Sequence, residues 1–126
     1  MFVTFEGLDG SGKSTQARLL AERLRVLGRE VVECREPGAT ALGERVRGLV
    51  LDHGGWAIGA RAEALLFAAS RAQLVEEVVR PALARGACVV CDRFLDSSVA
   101  YQGGGRGLGL EAVRALSLFA IDGVLP

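Results

Sequence analysis

The sequence predicts an α/β fold of three layers, with helices on both faces of a parallel sheet. Three observations carry this. Short apolar, β-prone runs recur at Phe2–Phe5, Glu30–Glu36 and Ala87–Cys91. Segments of helical periodicity separate them, the alternation that parallel βαβ units require. The first strand–helix junction is Gly7-Leu8-Asp9-Gly10-Ser11-Gly12-Lys13-Ser14, which fits G-x-x-x-x-G-K-[ST] at every fixed position.

That junction is the phosphate loop of the P-loop NTPase-type folds, and its residue types follow from its task. Glycines let the backbone turn tightly and aim N–H groups inward at phosphate oxygens. The N-terminus of the following helix adds partial positive charge. Lys13 supplies a compact cation for the outer phosphates, and the Ser14 hydroxyl suits Mg²⁺. A chance match is the bland alternative in a chain with 17 glycines, and the strand before and helix after the loop argue against it. Lys13 is also the one lysine among 15 basic residues, the rest being arginine. A flexible ammonium has been kept where a rigid fork fits phosphates less well.

Bulk properties narrow the classes further. At 126 residues the expectation is one domain, 1–126, and half the residues are hydrophobic, enough for a sizeable core. Zero net charge and a pI near 6.6 give no polyanion-binding surface, so no nucleic-acid partner is expected. No apolar run reaches membrane-spanning length, and the N-terminus enters a strand carrying Glu6 rather than a signal peptide. The expectation is therefore a cytoplasmic protein without a membrane partner. Cys88-Val89-Val90-Cys91 is formally C-x-x-C, but residues three apart on a strand face opposite ways, so buried structural thiols are expected. With His53 the only histidine, no histidine-based metal cluster or triad can be built.

After the phosphate loop, Ser14–Leu27 reads as an amphipathic helix with Ala17, Leu20, Ala21, Leu24 and Leu27 inward, closed by Gly28. The Glu30–Glu36 strand follows. Arg35-Glu36-Pro37-Gly38-Ala39-Thr40 turns at its carboxyl end, the edge where ligands bind in open parallel sheets. A solvated turn would explain Arg35 and Glu36 equally well. Thr40 can cap a helix running to about Leu51, with Glu44 in its first turn and Val46, Leu49 and Val50 inward. Asp52-His53-Gly54-Gly55 reads as a loop; it spells D-x-x-G, but after a helix rather than a strand.

A long helix is expected from about Gly59 to Val79, with Pro81 kinking it or starting a new turn. Phe67 and Arg71 are four apart on one face, a pair that could sandwich and hydrogen-bond a flat base. Spacing alone favours a core Phe and a surface Arg. The Ala87–Cys91 strand runs straight into Asp92-Arg93. An apolar strand ending in Asp is the expected second Mg²⁺- or water-positioning element of P-loop enzymes, and Arg93 could neutralise a transferring phosphate. Asp96-Ser97-Ser98 would cap a helical turn. Gln102–Gly107 reads as a mobile glycine-rich loop, and a last helix runs from Leu110 to about Ala120.

Taken in order, these pieces resemble bacterial thymidylate kinases, within the nucleoside monophosphate kinase group. The matching stretches are Phe5–Thr15, Arg35-Glu36-Pro37-Gly38, Leu66–Arg71, Asp92–Ser98 and Ala100-Tyr101-Gln102-Gly103, and they span the chain. The resemblance implies transfer of the γ-phosphoryl of ATP to dTMP with Mg²⁺, giving dTDP and ADP for dTTP synthesis. Gly7, Leu8, Asp9, Gly10, Ser11, Gly12, Lys13, Ser14 and Thr15 would hold ATP phosphates, with Ser14 on the metal. Lys13, Arg93, Asp92 and Asp9 would be the catalytic set, Asp9 also approaching the acceptor's 3′-hydroxyl. Glu36 and Pro37 would shape the acceptor site, and Arg47 and Arg93 would bind its phosphate. Phe67 would stack on thymine and Arg71 would bond its carbonyl, which reverses the reading from spacing. Ser98 and Gln102 would touch the base, and Tyr101 the deoxyribose.

The resemblance also implies a homodimer through the long helices, with which apolar Leu74 and Val78 are consistent. Two positions depart from the pattern: Ala39 stands where the family usually has glycine, and Phe94 where it has a hydroxyl-bearing aromatic. The family goes on after the position of Pro126 with an arginine-bearing lid, the adenine pocket and two more strands. Its strand order is two-three-one-four-five, so without the last two Phe2–Phe5 becomes an edge, and weak stability and little kinase activity are expected of these residues alone. Two other classes remain open: a different P-loop phosphotransferase such as a deoxynucleoside kinase, and a non-catalytic P-loop nucleotide binder or switch. The absence of any N-K-x-D signature argues against a GTPase.

Overall fold

The computed structural model describes residues 1–51 and 57–126, so the reading of Asp52-His53-Gly54-Gly55 as a loop falls outside the described residues. Strands β1 (Phe2–Phe5), β2 (Val31–Arg35) and β3 (Cys88–Asp92) form a parallel sheet in the order β1-β3-β2. This is the expected order of the first three strands. Phe2 pairs with Val89 and Phe5 with Asp92, while Val31 pairs with Cys88 and Arg35 with Asp92. Central β3 is flanked on both sides and covered on both faces, which is why Cys88–Cys91 is an unbroken apolar run rather than an alternating one. β1 pairs on one side only among the described residues.

Helix α1 (Lys13–Val26) covers one face, packing Ala17, Ala21, Leu20 and Leu24 on Val90, Phe5 and Val31. The other face is covered by α3 (Ala60–Leu74), a wider π-helical turn (Val75–Val79), α4 (Arg80–Ala84) and α6 (Leu110–Ile121). Leu74, Val75, Val79, Ala82 and Ile121 meet Phe2, Val89, Cys91 and Phe94 there. The Phe2 and Phe94 rings pack edge to face at 5.1 Å. This makes three layers, as expected. Phe94 is 1 % exposed in this core. Among the described residues no helix is long and apolar enough to cross a membrane.

Several details depart from the sequence reading. Leu27 and Leu49, expected inside, are 60 % and 37 % exposed. Leu74 is fully buried and so is spent on the core, while Val78 is half-buried against it. The long helix widens over Val75–Val79 because Pro81 has no N–H to return to the preceding turn and its ring crowds that turn's carbonyl. Asp96-Ser97-Ser98 does not cap: these residues lie inside α5 (Leu95–Ser98), whose N-cap is Phe94. The stretch expected to be a mobile loop is mostly a π-helical segment, Val99–Gly105. Gln102 and Gly103 are buried, and a Cβ on Gly103 would lie 3.2 Å from the Leu110 Cα, so α6 fixes it by packing. All three cysteines are free. Cys91 sits opposite Cys34 across the strand pair, and hydrogen bonding to Cys34 together with burial pushes its thiol well above the ordinary range, so it is a structural thiol as expected.

Helix α2 (Ala41–Leu51) starts as predicted, with the Thr40 Oγ1 accepting the Gly43 N–H at 2.9 Å. Ala39, at the family's usual glycine position, takes φ 63 and donates its N–H to Glu44 at 2.8 Å. The left-handed backbone explains why glycine suits that place. Gly43 meets a different constraint: a Cβ there would lie 2.5 Å from the Gly38 carbonyl oxygen. Gly43→Ala is therefore expected to destabilise the chain by about 1–3 kcal/mol despite alanine's better helix propensity. Urea unfolding measures this, and a stabilised variant would show that the Gly38 turn yields.

Candidate active site

The phosphate loop leaves the carboxyl end of β1 and enters α1. Gly10 and Gly12 have φ 76 and 88, conformations that side chains other than glycine rarely adopt. No side chain caps α1 and its first turn carries no acid, so the helix start keeps partial positive charge turned toward the loop. Lys13 folds back over the loop, its Nζ donating to the Leu8 carbonyl at 2.6 Å. An open cleft of ≈ 430 Å³ lies above, lined by Asp9, Gly10, Gly12–Thr15, Arg35, Glu36, Arg47, Asp92 and Arg93.

Asp92, at the end of β3, accepts the Ser14 hydroxyl with Oδ2, while its Oδ1 is buried with no partner. A buried carboxylate oxygen left unpaired beside a serine hydroxyl fits a hydrated cation. Among the described residues no group of three His, Cys, Asp or Glu side chains could hold a metal. Mg²⁺ needs none, since it takes one or two protein oxygens and completes its shell with water and substrate phosphates. Ser14 and Asp92 are the residues that would hold it.

Arg93 follows at φ 70 in the left-handed region. Its Nη2 donates to Asp9 at 2.6 Å, its Nη1 donates to the Ser97 hydroxyl at 3.1 Å, and its guanidinium lies over the Tyr101 ring at 5.3 Å. Glu6, which the sequence reading did not single out, holds this turn. Its carboxylate accepts the Phe94 N–H at 2.7 Å and the Ser97 hydroxyl. One acid at the mouth of the phosphate loop thus fixes Phe94, the residue after left-handed Arg93, and, through Ser97, the Arg93 fork.

A second open cleft of ≈ 590 Å³ adjoins the first and shares Asp9, Glu36, Arg47 and Arg93 with it. Pro37, Phe67, Tyr101, Gln102, Ser98 and Glu63 are among its other walls. Arg47 donates to the Pro37 carbonyl at 3.0 Å. Gln102, 5 % exposed, donates from Nε2 to Glu63 at 2.9 Å, and Glu63 also pairs with Arg106 at 3.4 Å.

Arg71 is the main correction to the reading from spacing. It is 1 % exposed rather than a surface residue, whereas Phe67 is half-exposed on the cleft rather than in the core. Arg71 lies behind the cleft wall formed by Glu36 and Ser98. Its Nε and Nη2 donate to the two Glu36 oxygens, Nη2 also to Ser98 at 2.7 Å, and Nη1 to Ser117 at 2.9 Å. Glu36 is thus an anchored acid, not part of a solvated turn, and Ser117 on α6 is a partner no spacing indicated.

Burial pushes the Glu36 carboxyl up from 4.5 to about 7, against the opposing pull of Arg71. A carboxyl that holds its proton more tightly folded than unfolded contributes stability that is full below 4.5 and lost as pH rises to about 7. The stability of the wild type minus that of Glu36→Gln is therefore expected to fall as pH rises through this window. Urea unfolding of both at stepped pH checks it, and a difference that rises instead would show that Arg71 holds the carboxyl down.

A parallel α/β/α core with a glycine-rich phosphate loop, a serine and an aspartate poised at one point, and a second cleft beside it defines a P-loop nucleoside monophosphate kinase fold. The family model described as thymidylate kinase matches residues 5–126. A thymidylate kinase from Thermosipho africanus (strain TCF52B) is 56% identical over 126 residues, covering 100% of this chain and 62% of that protein. One from Clavibacter sepedonicus is 59% identical, covering 100% and 59%. The crystal structure of thymidylate kinase from Ehrlichia chaffeensis superposes with a TM-score of 0.91 at 44% identity, covering 100% of this chain and 70% of that one. The chain belongs to the thymidylate kinase family, and it spans about three fifths of the length of these curated relatives.

Proposed function

We propose that the protein transfers the γ-phosphoryl group of ATP to dTMP, giving dTDP and ADP. The observation that carries this is the junction of two clefts at Asp9 and Arg93, one built on the phosphate loop and the other walled by Phe67, Tyr101 and Gln102. Residues Gly7–Thr15 bind the ATP phosphates, with Lys13 on the outer ones. Ser14 and Asp92 would hold Mg²⁺, which would supply neutralisation of phosphate charge. Phe67 stacks on the base, Gln102 and Ser98 meet its polar edge, Arg71 braces that edge from behind, and Tyr101 faces the sugar. Arg47, Pro37 and Glu36 shape the acceptor site. Arg93, held between Asp9 and Ser97, draws an acceptor phosphate oxygen toward the γ-phosphorus. As that oxygen bonds to phosphorus the bond to the β-bridging oxygen breaks, and ADP leaves with the electron pair. Positioning and charge neutralisation supply most of the acceleration.

A cytoplasmic location and a homodimer belong to the same reading; zero net charge supports the absence of a nucleic-acid partner. An acceptor panel with Mg·ATP, read by nucleotide chromatography and by calorimetry of each acceptor, tests the proposal. Binding and turnover of dTMP over deoxythymidine are expected. Turnover of deoxythymidine but not dTMP would make the protein a nucleoside kinase instead.

A further inference from the structure

Gln102 has an amide that can point either way, and its two ends are opposite in hydrogen-bonding character. The cleft wall removes that freedom. Glu63, one turn before Phe67 on α3, presents a carboxylate oxygen 2.9 Å from Gln102 Nε2 and receives Arg106 at 3.4 Å. A carboxylate accepts hydrogen bonds and has none to give, so only the Nε2 end can face it. Gln102 is 5 % exposed, so turning the amide over would set its buried Oε1 against the half-buried Glu63 carboxylate, two acceptors facing each other with no proton between them. What remains for a ligand is an acceptor, Oε1, at one fixed place and the second Nε2–H beside it.

Pyrimidines differ in how they meet such an amide. A base with N3–H beside a carbonyl offers a donor next to an acceptor. A base with an unprotonated N3 beside an amino group offers the reverse, and would pair equally well with a flipped amide. We propose that Glu63 is a specificity-positioning residue: by fixing the Gln102 amide it makes the second cleft select a monophosphate whose pyrimidine carries N3–H over one whose N3 is an acceptor. The inference rests on the reading of that cleft as the acceptor site.

Glu63→Gln keeps the size and lets the neighbour either accept or donate, so it frees the amide to turn. Titration calorimetry of dTMP and dCMP on wild type and Glu63→Gln is the test. The wild type is expected to prefer dTMP, and the variant to lose about tenfold or more of that ratio. An unchanged ratio, with both affinities equal to wild type or lowered alike, would make Glu63 a purely structural support and overturn the inference. Glu63→Met, equal in length and unable to fix the amide, is read the same way should the first variant not fold. Gln102→Ala separates the two levels: if it leaves the ratio at the wild-type value, Gln102 does not read the base, and the acceptor reading fails there. Wild-type protein that binds neither nucleotide overturns that reading and this inference together.

Discussion

Arg71→Ala is expected to remove about 3–5 kcal/mol of folding stability, a large share of the roughly 5–15 kcal/mol a domain has. The guanidinium and its partner carboxylate are 1% and 2% exposed, so neither can turn to water when the other is deleted. The substitution strands the Glu36 carboxylate and the hydroxyls of Ser98 and Ser117 in one place, and removes a cation lying 5.7 Å from the Phe94 ring. Part of the cost is relieved because an orphaned Glu36 takes up a proton rather than remain charged. Urea unfolding measures the loss; under about 1 kcal/mol would mean that solvent reaches the pair. The variant also separates two roles. Under conditions where it stays folded, the dTMP requirement should rise far more than that for ATP, because Glu36 and Ser98 line the second cleft, the proposed acceptor site. Equal effects on both substrates would confine Arg71 to holding the fold.

What could be read in the sequence was what is local. The phosphate loop is a contiguous pattern whose function depends on backbone conformation at fixed offsets, so eight residues announce it, and Asp92-Arg93 announces itself by ending an apolar strand. The Thr40 cap and the Gly28 terminus belong to the same class. Periodicity misplaces Arg71 because it asks only whether a residue is apolar, and a buried cation needs acceptors from elsewhere: the Glu36 carboxylate, 35 positions back, and the Ser117 hydroxyl, 46 positions on. Glu6 was passed over for the same reason, its partners being 88 and 91 positions away. Composition misleads at Gln102 and Gly103, where glycine content suggests a mobile loop and contact of Gly103 with Leu110 of α6 fixes the backbone. Leu74 looks surplus in the sequence because the number of apolar residues a core absorbs depends on how the layers close.

Lys13→Ala should leave the fold almost intact while abolishing nucleotide phosphate binding, a combination that identifies the phosphate loop as a binding device rather than a turn. In the free chain Lys13 makes one exposed hydrogen bond, to the Leu8 carbonyl, and groups so placed contribute little to stability. With phosphates in the loop the same ammonium faces several negative oxygens beside the uncapped start of α1. The loop amides carry only partial charge, and no other lysine exists in the chain to take its place. Removing one preorganised charged contact of this kind costs on the order of a hundredfold or more. Thermal unfolding with and without Mg·ATP reads both halves at once, since a ligand that binds only the folded state raises the melting temperature with its concentration. The wild type should show that rise, and the variant should melt at nearly the wild-type temperature and show none. A variant that still gains the full shift would prove that the amides alone hold the phosphates, and the role given to Lys13 would have to be withdrawn. Arg93 gives the complementary comparison: it lies at the seam of the two clefts, so Arg93→Ala should weaken dTMP binding while the ATP-induced shift survives, the reverse of Lys13→Ala.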